Sequence, residues 1–144
     1  MSRKLFTAGC VVLVALGLVH LLGHAAMQAN QGESDAERQM LSLMRGHKQD
    51  LGLGFVRSMS DILNGFSLHF SVASLGMGLC GFVVRRHARA AAGLLRQVAI
   101  VYAATYGVLT AIGLRYWFPA PLLFLVGGFV CFTAAAATAG RDAA

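Results

Sequence analysis

The stretch LFTAGCVVLVALGLVHLLGHAAM, residues 5–27, contains no aspartate, glutamate, lysine or arginine. A helix rises about 1.5 Å per residue, so about 20 residues cross a hydrocarbon core roughly 30 Å thick. The stretch is therefore long enough to cross a bilayer as one helix. A signal peptide also places basic residues before an apolar region, but this run is longer than such a region and no A-x-A cleavage pattern follows it. We expect it to be retained as the first transmembrane helix.

Three further apolar runs, at residues 58–84, 94–116 and 118–139, have the same character. Only 12% of the 144 residues are charged, which is about half the fraction of a soluble domain. Lipid offers no hydrogen-bond partner to backbone N–H and C=O groups. Every span is therefore expected to be a helix, in which these groups bond to each other. The sequence therefore predicts an all-α fold, an integral membrane four-helix bundle that forms a single transmembrane domain over residues 1–144.

Basic residues lie at the ends of the apolar runs and predict the orientation. Arg3 and Lys4 precede the first span, and the second connection, RRHARAAAGLLR at residues 85–96, carries four arginines and no acid. Since basic residues concentrate in cytoplasmic connections, both termini and this loop are expected in the cytoplasm, with the chain in a bacterial inner membrane. Tyr116 and Trp117 then fall at the outer interface.

The net charge of +6 follows from this arrangement at the ends of the spans. The basic residues are not interleaved with aromatic residues in a patch, and no motif of a nucleic-acid-binding fold accompanies them. Nucleic acid is therefore not an expected partner.

The first connection contains a predicted amphipathic helix at residues 34–46. The letters SDAE fit a capping box, in which the Ser34 hydroxyl accepts from the Glu37 amide while the Glu37 side chain reaches back. Apolar residues follow at helical spacing: Ala36, Met40, Leu41 and Met44. We expect this helix to lie on the outer membrane surface or to cap the bundle, and a solvated linker is the alternative.

The glycine-rich letters LGLGF, residues 51–55, precede the second span. They lack the preceding strand that a nucleotide-binding fingerprint requires. We interpret them as a flexible entry to the second helix.

Three motifs together resemble a group of small bacterial four-span membrane proteins that is itself uncharacterised. They are VHLLGH at residues 19–24, AERQMLSLMRGHK at 36–48 and DILNGFSLHFS at 61–71. The resemblance covers most of the chain and implies the four-span architecture. It implies no activity, because none is assigned to the group.

Polar side chains within the spans form the candidate site. The second helix carries small and polar residues that alternate by four and three positions: Ser60, Asn64, Ser67, Ser71, Ser74, Gly78 and Gly81. Such a seam is typical of close helix packing in membranes. Since the first helix runs outward and the second returns, His24 is expected level with Asp61 and Asn64, and His20 level with Ser67. The sequence thus predicts a polar cluster in the outer half of the bundle, with these members: His20, His24, Asp61, Asn64 and Tyr106.

This cluster has three alternative uses. Imidazoles at i and i+4 can hold a transition metal, and His69 is a further candidate ligand for a metal or a haem. The histidines can instead hydrogen-bond to Asp61, Asn64 or a tyrosine and join two helices. A polar cavity for a proton, a lipid headgroup or a small solute is the third use. Asp61 itself is expected to pair with Arg57, and a role in proton relay or substrate binding is the alternative.

Other chemistry is not indicated by the sequence. It contains no nucleophile with a general base at the spacing of a known catalytic motif, and no glycine-rich phosphate-binding loop. Its three cysteines lie apart within apolar runs, where they behave as small hydrophobic residues. A non-enzymatic accessory or small-ligand-binding role is favoured. The alternatives are a haem- or metal-binding redox protein and a small transporter. The expected partners are the lipid bilayer and either a second copy of the chain or another membrane protein.

Overall fold

The computed structural model describes residues 1–87 and 92–139, which form five helices and one short hairpin. The elements are α1 (Ser2–Ala29), α2 (Asp35–Gly46), β1 (Lys48–Asp50), β2 (Val56–Ser58), α3 (Met59–His87), α4 (Ala92–Tyr116) and α5 (Pro119–Ala139). Four of the helices, α1, α3, α4 and α5, are long and apolar enough to cross a membrane. They coincide with the predicted runs to within three residues at each end. The all-α prediction is therefore confirmed apart from the hairpin.

Two parts of the predicted cytoplasmic surface lie outside the described residues. They are residues 88–91 of the connection between α3 and α4, and the C-terminal residues 140–144.

The short helix α2 confirms the helix predicted in the first connection. Ser34 is its N-cap, and its hydroxyl accepts a hydrogen bond from the Glu37 amide at 3.2 Å. The Glu37 carboxylate reaches back to the amide of Glu33 at 2.9 Å, one residue earlier than the capping-box pattern expects. The first bond satisfies an amide group that the helix itself leaves unpaired, and the second fixes the residue that precedes the cap.

The glycine-rich segment after α2 is a tight hairpin, so its interpretation as a flexible entry was wrong. β1 and β2 pair antiparallel, with Asp50 opposite Val56. At the turn, Gly52, Leu53 and Gly54 have positive φ angles of 89°, 55° and 81°. The Asp50 carboxylate accepts from the Gly52 amide at 2.8 Å and fixes the turn. Glycine here supplies a left-handed backbone conformation, which builds a specific turn.

Helix α1 lies at the centre of the bundle, packed against α3 on one side and α5 on the other, while α4 packs against α5. The seam between α1 and α3 is so close that glycine is required at it. A β-carbon added to Gly17 would lie 2.7 Å from Leu75 Cγ and 2.9 Å from the Ser71 carbonyl oxygen. On α3, a β-carbon added to Gly78 would likewise lie 2.7 Å from the Val14 side chain. The small-residue seam predicted on the second span is confirmed for its buried half, Ser71 to Gly81.

An aromatic cluster joins α1, α4 and α5. The ring of Phe132 lies edge-to-face against Phe6, with centroids 5.5 Å apart, and against Tyr102, at 4.9 Å. Gly9 allows this packing, since a β-carbon there would stand 2.7 Å from the Phe132 ring. Because these rings and Leu13 are nearly inaccessible to solvent, this part of the bundle is a filled core.

The outward faces of the long helices are apolar. Leu22, Val72, Val101, Leu114 and Leu123 are among many large hydrophobic side chains that stay exposed. Soluble monomers rarely expose contiguous apolar surface of this extent, so these faces suit a membrane. We call the end of the bundle that carries α2 and the two strands the hairpin end, and the end where α1 begins the N-terminal end.

Gly17→Ala is expected to destabilise the fold, because the added methyl group meets the α3 backbone as well as a side chain. Overpacking of this kind costs about 1–3 kcal/mol. The change is measured as the free energy of unfolding in detergent, followed by far-UV circular dichroism. The matched control is Gly23→Ala on the same helix, where an added β-carbon meets nothing within 4 Å. Equal stability of the two variants would contradict the described seam.

Candidate functional site

A cavity of about 740 Å³ opens at the hairpin end of the bundle. Its walls come from α1, α3, α4 and the start of α5, and α2 lies across it through Leu41, Met44 and Arg45. The volume falls in the range typical of small-molecule sites, which are mostly apolar with a few convergent polar groups. The predicted site residues that line it are His20, His24, Asn64, His69 and Tyr106.

The cavity exists because α3 and α4 approach each other through side chains rather than backbone. Two tyrosines of α4 span the gap. The Tyr102 hydroxyl donates to the Met77 carbonyl oxygen of α3 at 2.9 Å. Tyr106 is only 1% exposed and points toward Ser74 at the cavity wall. These two side chains bridge α3 and α4, and of the two only Tyr106 lines the cavity.

The α3 seam changes its role along its length. Towards the N-terminal end its small residues are buried against α1, whereas Ser60, Asn64 and Ser67 line the cavity. Phe66 and Ala73, which flank this part of α3, are exposed at the rim. The same sequence pattern therefore packs a helix at one end and lines a cavity at the other.

His20 is the best-defined polar group of the site. Its Nε2 atom lies 3.1 Å from the Ser67 hydroxyl, which places the two residues at one level, as helical rise predicts. The His20 ring lies edge-to-face against Phe70 at 4.9 Å, and Phe70 lies edge-to-face against Trp117 at 5.0 Å. Three rings in edge-to-face contact thus connect α1, α3 and the turn before α5 across the cavity wall.

Asn64 is also joined to α1, but by a residue that sequence analysis did not select. The Gln28 amide donates to the Asn64 side-chain oxygen. Gln28 lies one turn beyond His24 and lines the cavity with it. The signal that could have identified Gln28 is its four-residue spacing from His24, which continues the His20–His24 face.

Asp61 does not line this cavity, although it lines a neighbouring surface pocket with His69. Its carboxylate accepts from both the amide and the hydroxyl of Ser58, at 3.0 and 2.9 Å, so it caps the start of α3. The expected pairing of the α1 histidines with Asp61 is therefore absent from the described residues. The Arg57 guanidinium lies over the Phe55 ring and donates to the Val56 carbonyl, which also leaves the expected Arg57–Asp61 ion pair unformed. The Asp61 carboxylate bonds to Ser58 in place of the expected partners, because Ser58 is only three residues away along the chain and the helix start needs a cap.

The three candidate metal ligands His20, His24 and His69 all line the cavity. No group of three or more histidine, cysteine, aspartate or glutamate side chains in residues 1–87 and 92–139 is arranged to hold a metal ion. Ser67 occupies one nitrogen of His20, and His69 is exposed at the rim. Ligation of a metal or a haem by these residues stays a prediction.

The indole of Trp117, a residue expected at the outer interface, lies inward at the hairpin end of the bundle. It belongs to the two-residue turn between α4 and α5, and its amide continues the α4 hydrogen-bond pattern to the Gly113 carbonyl at 2.9 Å. That geometry directs the indole inward onto Phe70 and the cavity. Its neighbour Tyr116 is exposed, as an interfacial aromatic residue would be.

Comparisons with protein-family models, with curated proteins and with solved structures found no match for this chain. The resemblance to small bacterial four-span proteins therefore rests on the residues alone.

A double-mutant cycle of His20→Ala and Ser67→Ala is expected to give a coupling energy of about 0.6 kcal/mol, the average for hydrogen bonds between membrane helices. The measurement is the free energy of unfolding in detergent for the two single variants, the double variant and the wild type. The comparison cycle pairs His20→Ala with Asp61→Asn, which caps a helix elsewhere, and its coupling is expected near zero. A larger coupling for Asp61 than for Ser67 would refute the described arrangement.

Proposed function

We propose that this protein is a non-enzymatic, small-ligand-binding protein of the bacterial inner membrane, and that it binds a lipophilic amphipathic molecule. The observation that carries the proposal is the cavity at the hairpin end. We infer that it opens between α3 and α4, because these two helices have few close backbone contacts. An opening on the lateral surface of a membrane bundle is reached from the acyl chains of the bilayer. A lipophilic molecule dissolved there has direct access.

The lining favours a neutral or anionic polar end on the ligand. His20, Asn64 and Tyr106 offer hydrogen-bonding groups at depth, and Arg45 of α2 adds a positive charge at the mouth. Among the described lining residues there is no aspartate or glutamate, because Asp61 is held at the start of α3. A ligand cation would have no counter-charge there, and burying an unpaired charge is costly.

The packing at the N-terminal end favours binding over transport. Phe6, Leu13 and Phe132 are fully buried there, and their rings and side chains fill the space between the helices. A transported solute would need a polar path through this region. A site that is open at one end and packed at the other suits a molecule that enters from the membrane and returns to it.

Charge distribution supports an orientation with the hairpin end outside the cell. Arg3, Lys4, Arg85, Arg86 and Arg96 lie at or near the N-terminal end of the long helices. The first connection, at the opposite end, mixes acids with basic residues and nearly cancels. Basic residues of this kind mark the cytoplasmic side. The cavity then faces the outer leaflet.

A second candidate function is a haem- or metal-binding redox protein. The observation in its favour is that His20, His24 and His69 share one cavity. Neutral imidazole is a common ligand of iron, copper and zinc.

Binding can be followed through Trp117, the single tryptophan of the chain, which lines the cavity. A bromine-labelled fatty acid is expected to quench its fluorescence saturably in detergent-solubilised protein, because the heavy atom enters the cavity. Ala73→Phe adds a ring to the cavity wall and is expected to abolish the saturable component. The matched control is Ala111→Phe, at an exposed position of α4 outside the lining, which should behave as wild type.

Two outcomes would count against this proposal. Unsaturable quenching that is equal in both variants would mean that the fatty acid only partitions into the micelle. A stoichiometric metal or a haem absorption band in the purified protein, lost in the His20→Ala/His24→Ala variant, would move the conclusion to the redox function.

Orientation is tested by labelling single-cysteine additions with a membrane-impermeant maleimide on spheroplasts. Leu53, at the hairpin tip, is 99% exposed, so Leu53→Cys is expected to react in intact spheroplasts. His87→Cys, at the end of α3, is expected to react only after lysis. The wild-type chain is the blank, since its cysteines lie within the long helices. The opposite labelling pattern would invert the orientation.

A further inference from the structure

A second recess, of about 740 Å³, lies on the exposed face of α3 at the hairpin end. Its lining comes from Arg57 of β2 and from the first three turns of α3, namely Asp61, Ile62, Gly65, Phe66 and His69. A β-carbon on Gly65 would meet nothing within 4 Å, so the recess is open at its middle. We call it the α3 recess.

The α3 recess is lined by one acid and one base that do not pair with each other. Asp61 and Arg57 are four residues apart, and both line it. In the described part of the chain an ion pair joins Arg38 to Asp35, whereas none joins Arg57 to Asp61. Opposite charges that border one recess without neutralising each other require a structural cause.

For Asp61 the cause is a capping box at the start of α3. The Ser58 hydroxyl accepts from the Asp61 amide at 3.1 Å, and the carboxylate accepts from the Ser58 amide at 3.0 Å. The bond from the Ser58 hydroxyl, at 2.9 Å, reaches the same carboxylate oxygen, Oδ2. The carboxylate is thus fixed in direction, and its Oδ1 atom has no partner among residues 1–87 and 92–139.

Arg57 is held on the other side of the recess by the hairpin. Its guanidinium lies 5.8 Å from the centroid of the Phe55 ring, and Nη1 donates to the Val56 carbonyl oxygen at 2.9 Å. A guanidinium has five N–H donors, so most of them stay available. The recess therefore presents a fixed negative group and a fixed positive group, each with unused hydrogen-bonding capacity.

The position of the α3 recess suits a lipid. Its charged end lies where α3, a helix long enough to cross a membrane, begins. Helical geometry places Val72 and Leu79 on the same face as Gly65, at intervals of seven residues. Both side chains are more than half exposed. A polar recess at the helix start thus continues into an apolar face that runs along the helix.

We propose that the α3 recess binds a zwitterionic phospholipid whose headgroup carries a primary ammonium, as in phosphatidylethanolamine. The ammonium donates to the free oxygen of Asp61, and the phosphate accepts from the Arg57 guanidinium. The acyl chains then follow the apolar face of α3. A purely anionic headgroup would leave Asp61 without a counter-charge, and a trimethylammonium group has no N–H to donate.

This site goes beyond the ligand-binding function proposed above and does not rest on it. Phe66 and His69 border both the α3 recess and the hairpin-end cavity, but Arg57 and Asp61 line the recess alone. Variants of these two residues therefore test the lipid site without altering the cavity lining. Failure of Trp117 quenching by a fatty acid would leave the lipid site untouched.

Native mass spectrometry of the full chain tests the proposal. The protein in detergent is incubated with equal amounts of phosphatidylethanolamine, phosphatidylcholine and phosphatidylglycerol that carry the same acyl chains. Phosphatidylethanolamine is expected to be retained preferentially. Phosphoethanolamine, the soluble headgroup alone, is expected to leave the bound lipid in place when it is added as a competitor.

Two variants remove the charges one at a time. Asp61→Asn keeps an oxygen that can cap α3, and it is expected to retain phosphatidylethanolamine and phosphatidylglycerol equally. Arg57→Gln is expected to weaken the binding of phosphatidylethanolamine about fivefold, the effect of one basic residue near a membrane surface. Arg57→Lys keeps the charge and is expected to weaken it less.

Glu33→Gln is the matched control, because Glu33 is an exposed acid of the first connection that does not line the recess. Its lipid preference is expected to equal that of wild type. The far-UV circular dichroism and the Trp117 emission spectrum of each variant establish that it is folded.

Four results would overturn the proposal. Equal retention of the three lipids would remove the headgroup selectivity. A Glu33→Gln variant that loses the preference as Asp61→Asn does would assign it to diffuse surface charge. Displacement of the lipid by phosphoethanolamine would assign the recess to a soluble zwitterion. A lipid-free dimer that dissociates in Asp61→Asn would assign the recess to a second copy of the chain.

Discussion

The close approach of α1 to α3 constrains everything else in this bundle. Gly17 on α1 and Gly78 and Gly81 on α3 bring the two backbones together. A β-carbon at Gly17 would meet the α3 backbone, and one at Gly81 would collide with the Cys10 sulfur. With α1 thus placed at the centre, α5 and α4 follow on its other side. In a bilayer the apolar surface of a helix is already in an apolar solvent, so close packing of small residues has to supply the cohesion.

The two ends of the bundle acquire different properties from this one seam. At the N-terminal end the crossing is tight, Phe6 and Phe132 fill the core, and arginines from two helices meet at the surface. At the hairpin end the small and polar residues of α3 meet α1 through the side chains of His20 and Gln28, and Tyr106 of α4 lines the space beside them. A cavity forms there, and α2 lies across it. The N-terminal end has a filled core and a basic surface. The hairpin end has a cavity that is lined by side chains able to form hydrogen bonds.

Helical geometry was enough to predict part of the site. The level of His20 with Ser67 follows from counting residues along two antiparallel helices, and the structure has that hydrogen bond. The same counting placed Asp61 level with His24, but it could not show that the Asp61 carboxylate bonds to the amide and hydroxyl of Ser58. The inward direction of Trp117 and the contact made by Gln28 were missed for another reason: the direction of a side chain in a turn, or at a helix end, depends on backbone angles that periodicity does not contain.

The sequence by itself determined the number, length and helical state of the apolar segments, the capped helix α2 and the small-residue seam. These follow from local rules: backbone groups in an apolar stretch must bond internally, and serine caps a helix within three residues. Only the tertiary structure decided that the seam packs for half its length and lines a cavity for the rest, that the hairpin turns at Gly52 and Gly54, and that Arg3 and Arg85 line one pocket. Those features depend on which helix lies beside which, and no local pattern encodes the distance between α3 and α4.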